Sequence, residues 1–208
     1  YKPFNNKDLM TEFILYARLG LNHIADLNAF DHLVFLLALS ASFKPKQWKN
    51  LFFLITAFTI GHSATLVFAT FKWIYIPSQI IEFLNPIIIL ATSIINVVTV
   101  EKADSTESVK KESFRLNYFL ALFFGLIHGM GFSGYLQHLL GKETSIVLPL
   151  FSFNVGIEIG QIIIVGLFFS VLLFAESLMK VRHRDWTLYI SGIATGISII
   201  LLTETAFW

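Results

Sequence analysis

Cysteine is absent from this 208-residue chain. That excludes disulfides, iron–sulfur clusters and thiolate metal sites. Any cation site must then be built from His, Asp, Glu, Asn or Gln. Charge is also scarce, at 14% Asp, Glu, Lys and Arg, where a soluble domain carries roughly 25%. The 15 basic and 14 acidic residues leave a net charge of only +1, so no nucleic-acid partner is expected. The G-x-S-x-G, P-loop, H-E-x-x-H and dinucleotide fingerprints are missing. The start, YKPFNNKDLM, lacks a basic region running directly into an apolar core, so it is not expected to be a signal peptide.

What the chain has is apolar length. Hydrophobic residues make up 55%, Phe alone supplies 22 residues, and mean hydropathy is +0.70. The expected fold class is an all-α polytopic membrane helix bundle in a single transmembrane domain, residues 1–208. About six stretches approach the roughly 20 apolar residues a span needs: 30–43, 48–71, 77–99, 114–137, 146–175 and 186–206. The N-terminal segment 1–28 contains TEFILYARLGLNHIAD, with an apolar face at helical spacing. It reads as an interfacial, partly inserted helix, with a seventh span as the alternative. The polar stretch 101–113 reads as a cytoplasmic loop.

Basic residues orient the bundle. Lys44, Lys46, Lys49, Lys102, Lys110, Lys111, Arg115, Lys180, Arg182 and Arg184 fall on one side. Lys2, Lys7, Arg18, Lys72 and Lys142 fall on the other. The richer side is expected inside, which puts both termini outside.

Against this background, ionisable groups stand out. Asp31, His32, His62, His128 and Glu158 lie in stretches that otherwise read as lipid-buried helix. A charged group at a helix centre costs about 2.5–3.5 kcal/mol on insertion scales, so each needs a partner. The orientation puts them at similar depth, in the outer half of the bilayer. Imidazoles and carboxylates together suit a divalent transition metal.

Asp31 and His32 open the first span, with His23 upstream. Asp31 can ligate, or accept an imidazole N–H and orient the ring; its plainer role is a helix cap. His62 lies in TAFTIGHSAT, where Thr59 and Ser63 can bond helix carbonyls and Gly61 allows close helix approach. His128 lies in GLIHGMGFSG, a glycine-rich run that signals close packing or broken helix. Asn154, Glu158 and Gln161 share one face of the fifth span. Glu82, Asn85, Ser93 and Asn96 trace a similar stripe on the third, where Pro86 is expected to kink the helix. For each, the bland alternative is a hydrogen-bonded packing seam. The expected metal set is His32, Asp31, His62, His128, Glu158, His23 and Glu82, with Asn154, Gln161, Ser63 and Asn96 in support.

These residues resemble the HupE/UreJ family of small bacterial membrane proteins. The likeness runs through His23 and Asp31-His32, then T-A-F-T-x-x-H-S from Thr56 to Ser63, then Glu82 after Pro77. It continues with F-G-L-x-H-G-x-G-F from Phe124 to Phe132 and F-N-x-G-x-E-x-G-Q from Phe153 to Gln161. The segment around His128 looks like the family's second branch. The resemblance implies a bacterial inner membrane protein engaged in nickel uptake; with the orientation read from the basic residues, both termini are then expected to be periplasmic.

The leading expectation is a divalent-metal permease whose ion is nickel first, with zinc, copper or iron also compatible with the ligands. The same ligands would serve an intramembrane metalloenzyme. A metal-free accessory subunit of a larger membrane complex is the third reading. The expected partners are the lipid bilayer, the metal ion and, on the third reading, other membrane proteins.

Overall fold

A computed structural model describes residues 6–27, 30–74, 76–101, 107–140 and 146–206. These are helical almost throughout: α1 (Asn6–Ile24), α2 (Asp31–Ala41), α3 (Trp48–Thr70), α4 (Ser78–Glu101), α5 (Glu107–Leu140), α6 (Val147–Leu178) and α7 (His183–Glu204). Among them, Pro45–Ala69, Ser78–Val100, Val147–Leu178 and His183–Glu204 are long and apolar enough to cross a membrane. Large side chains such as Phe53, Phe119, Ile163, Leu167, Phe174 and Ile200 stand exposed on the outer helix faces. In water such a surface would drive aggregation; against lipid it costs nothing. The chain is a membrane helix bundle.

Two helices differ in length from the spans read in the sequence. The stretch expected at 30–43 contains a helix of 11 residues, which rises about 16 Å and reaches only half of a hydrocarbon core. The helix expected at 114–137 begins earlier, at Glu107. Residues 102–106 of the expected cytoplasmic loop lie outside the described residues. α4 continues through Pro86.

Glycines fix how the helices pair. A Cβ on Gly61 would strike the carbonyl oxygen of Leu122, and one on Gly125 that of Phe58. One on Gly129 would strike the carbonyl of His62. The numbers rise together along both helices, so α3 and α5 run parallel with backbones in contact. α1 and α6 form a second parallel pair. Gly20 meets Phe153 and Ile157, Gly156 meets Ala17, and Gly160 meets Leu21 and Ile24. Without Cβ atoms, backbones approach closely enough for dispersion to replace the hydrophobic drive that lipid removes.

Hydrogen bonds set the remaining directions. Asn85 reaches Asp31 and Asn96 reaches the carbonyl of Ala38, so α2 runs parallel to α4. α5 runs against α4, with Asn85 beside His128 and Ile81 beside Gly131. The last turn of α1 and the first turn of α2 therefore meet in the bundle.

Candidate metal centre

The junction of α1 and α2 is where the imidazoles collect. One ligand nitrogen each from His23, His32 and His128 lies within 4.8 Å of the others. Ring centroids are 4.8 Å apart for His23 and His32 and 3.9 Å for His32 and His128. His62 on α3 is the fourth ring, 6.0 Å from His128 and 6.1 Å from His23. It is fully buried, and neither ring nitrogen makes a hydrogen bond. The Asn154 side chain lies against it, while its amide donates to the carbonyl of Leu150 at 2.8 Å.

Asp31 organises this cluster. Oδ1 accepts the His32 backbone N–H at 3.0 Å and lies 3.2 Å from Nδ1 of the same residue. Oδ2 accepts the Asn85 amide at 2.9 Å and lies 3.8 Å from Nδ1 of His128. The Asn85 nitrogen is also 3.2 Å from that Nδ1. With Nδ1–H of His32 held on the carboxylate, the lone pair is left on Nε2, as metal-binding imidazoles require. Asp31 is thus placed to orient a ligand, and its side chain is 18% exposed.

The opposite side is closed by aromatics. Phe58 precedes His62 by one turn, Phe124 precedes His128 by one turn, and Phe35 follows His32 by nearly one turn. Because α2 runs against α3 and α5, all three fall on the same side. Phe35 and Phe124 stack at 4.0 Å, with Phe58 5.6 Å from Phe124. None is more than 1% exposed. This layer separates the histidines from the end of the bundle that carries Lys44, Lys46, Arg182 and Arg184.

The other expected site residues have their own arrangements. Glu158 accepts from Thr56 at 2.7 Å and Gln161 accepts from Thr59 at 3.1 Å. The two threonines of T-A-F-T thus tie α3 to the polar stripe of α6. Ser63 donates to the Thr59 carbonyl at 2.7 Å. Asn96 lies further along α4 and donates to Ala38. Glu82 is exposed and stands outside the cluster. Asn85 was legible only as part of a stripe, and the structure puts it at the centre. The available signal was an Asn directly before Pro86 on an apolar helix.

An ion fits this donor set. Nitrogens bound to one ion at about 2.1 Å are at most about 4.2 Å apart. The three nitrogens lie within 4.8 Å of one another, so the widest pair would close by at most about 0.6 Å. Three imidazoles with an orienting carboxylate, and a fourth buried ring without a hydrogen bond, suit a divalent transition metal.

No curated protein and no solved structure matches this chain. The family model described as HupE / UreJ protein matches residues 2–207, nearly the whole chain. That family is generally associated with metal uptake, which agrees with a histidine cluster inside the bundle. The chain belongs to the HupE/UreJ family.

Proposed function

We propose that this chain is a divalent transition-metal permease of a bacterial inner membrane, with nickel the first candidate ion. The observation that carries the reading is the convergence of His23, His32 and His128 from three helices, with His62 beside them. Imidazoles bind nickel, copper, zinc and iron; family membership favours nickel. The ion is cargo: it would enter past Asp31, exchange water for imidazole nitrogen, and leave when the phenylalanine layer opens. The basic end beyond that layer is the cytoplasmic end on this reading, which leaves both termini periplasmic. The chain acts as a single transmembrane domain.

Whole-cell uptake of radioactive nickel tests the reading. The His62→Ala/His128→Ala variant should fall to the level of cells lacking the protein, at equal membrane abundance. Uptake equal to wild type sinks the proposal.

The phenylalanine layer also supports a fixed metal, because it closes one side of the site. On that second reading the chain is an intramembrane metalloenzyme. Metal retained stoichiometrically through chelator treatment would favour it, since a permease site should empty.

A further inference from the structure

A second polar layer lies beyond the phenylalanines. α4 and α5 are antiparallel, with Asn85 beside His128. Eleven residues further along α4 is Asn96, and eleven residues back along α5 is Asn117. The two asparagines therefore share one level, about 16 Å from the histidine cluster along the helices. Asn96 donates to the Ala38 carbonyl of α2 and lies 3.4 Å from Ser191 Oγ of α7. Ser93 stands nearly one turn before it. Three helices thus contribute polar side chains to this level.

All four side chains are buried to within 1%. Three carry an oxygen with no hydrogen bond: Asn96 Oδ1, Asn117 Oδ1 and Ser93 Oγ. An unpaired polar atom in an apolar interior is costly, and native structures hold few of them. Three within one turn of the same level point to a bound species that accepts oxygen lone pairs.

We infer that Ser93, Asn96 and Asn117 form a second ion site, for a hard monovalent cation of the sodium class. Amide and hydroxyl oxygens suit hard cations, whereas the softer transition metals prefer imidazole. The three donors carry no charge, and the cost of burying an ion grows with the square of its charge, so a single positive charge is favoured. Entry is from the basic end. There Thr187 bonds the Ala41 carbonyl, and His183 lies 3.5 Å from Glu176. This site is independent of the nickel reading, since it shares no residue with the histidine cluster.

Thermal unfolding of the purified protein in sodium chloride and in choline chloride, at equal ionic strength, tests the inference. Sodium should raise the wild-type midpoint by a few degrees and saturate in the millimolar range, because a ligand that binds only the folded state stabilises it. The Ser93→Ala/Asn117→Ala variant should need at least tenfold more sodium for the same shift, while its response to nickel persists. The single Ser93→Ala variant removes only an oxygen, and serves if the double variant does not fold. His62→Ala/His128→Ala should keep the sodium response and lose the nickel response. Coincident sodium and choline curves in the wild type would overturn the site and leave buried water as the occupant. So would a sodium response unchanged in every serine and asparagine variant. A missing nickel shift with an intact sodium shift would instead sink the metal reading alone.

Discussion

Glycine does opposite things at different places in this bundle. On α3 and α5, Gly61, Gly125 and Gly129 each sit where a Cβ would enter the partner's backbone. On α6 and α7, Gly166, Gly192 and Gly196 have nothing within 4 Å of the space a Cβ would fill. The first set lets two parallel helices touch, and those helices carry His62 and His128. The second set faces outward and holds nothing. Tight packing is thus concentrated where the imidazoles must be positioned.

The comparison breaks most visibly at Gly125. Its Cβ would overlap the Phe58 carbonyl oxygen, with His62 N close behind. Neither obstacle is a flexible side-chain end, so the helices must separate. Overpacking usually costs about 1–3 kcal/mol; backbone obstruction should put Gly125→Ala at or above the top of that range. Thermal unfolding in detergent should show a large drop, with nickel binding lost alongside. A variant with wild-type stability would mean the parallel pairing of α3 and α5 is wrong.

The next effect is on binding. Asn85 holds both the Asp31 carboxylate and the His128 ring. Loss of a group that orients metal ligands typically costs 10–100-fold in affinity, about 1.4–2.7 kcal/mol. Asn85→Ala should weaken nickel binding by that factor in calorimetry. Glu82→Ala, one turn away and exposed, should leave it unchanged. Equal losses would show that α4 is rotated from the orientation described.

Smaller still is the link between α3 and α6. Thr56→Val keeps the shape but removes the donor to Glu158. Side-chain hydrogen bonds inside membrane bundles average about 0.6 kcal/mol, with a maximum near 1.7. Stability should fall within that interval, and nickel affinity should hold, because Glu158 is paired outside the histidine cluster. A tenfold loss of nickel affinity would make Glu158 a ligand.

The residues named in these variants differ in how legible they were. Apolar runs announced the helices, because a bilayer demands about 20 such residues whatever the packing. Those runs did not announce direction. That α1 lies parallel to α6 depends on Gly20 and Gly156 meeting across the seam, a long-range fact that no local periodicity encodes. His23 and His32 are nine positions apart, with the non-helical residues 25–27 and 30 between them, so helical spacing gave no reason to expect their rings 4.8 Å apart. Glu82 and Asn85 are three apart on one stripe, yet one is exposed and the other is at the centre. A carboxylate drew the eye because charge in lipid is costly, but Glu82 avoids that cost by exposure. The phenylalanine layer was hidden for the converse reason: with 22 Phe in the chain, any three of them on apolar helices carry no signal until their level is known.

The smallest effect closes the comparison from the other side. Gly196 lies in α7 with open space around its missing Cβ. There the residue contributes only its cost: glycine within a helix is worth about 0.5–1 kcal/mol less than alanine. Gly196→Ala should therefore raise the unfolding midpoint slightly, with nickel affinity unchanged. The sign matters more than the size. The same substitution should destabilise at Gly125 and stabilise at Gly196, although both are helical glycines in an apolar chain. If Gly196→Ala instead lowered stability as Gly125→Ala does, the outward face of α7 would be a packing surface for another protein or a second copy of the chain.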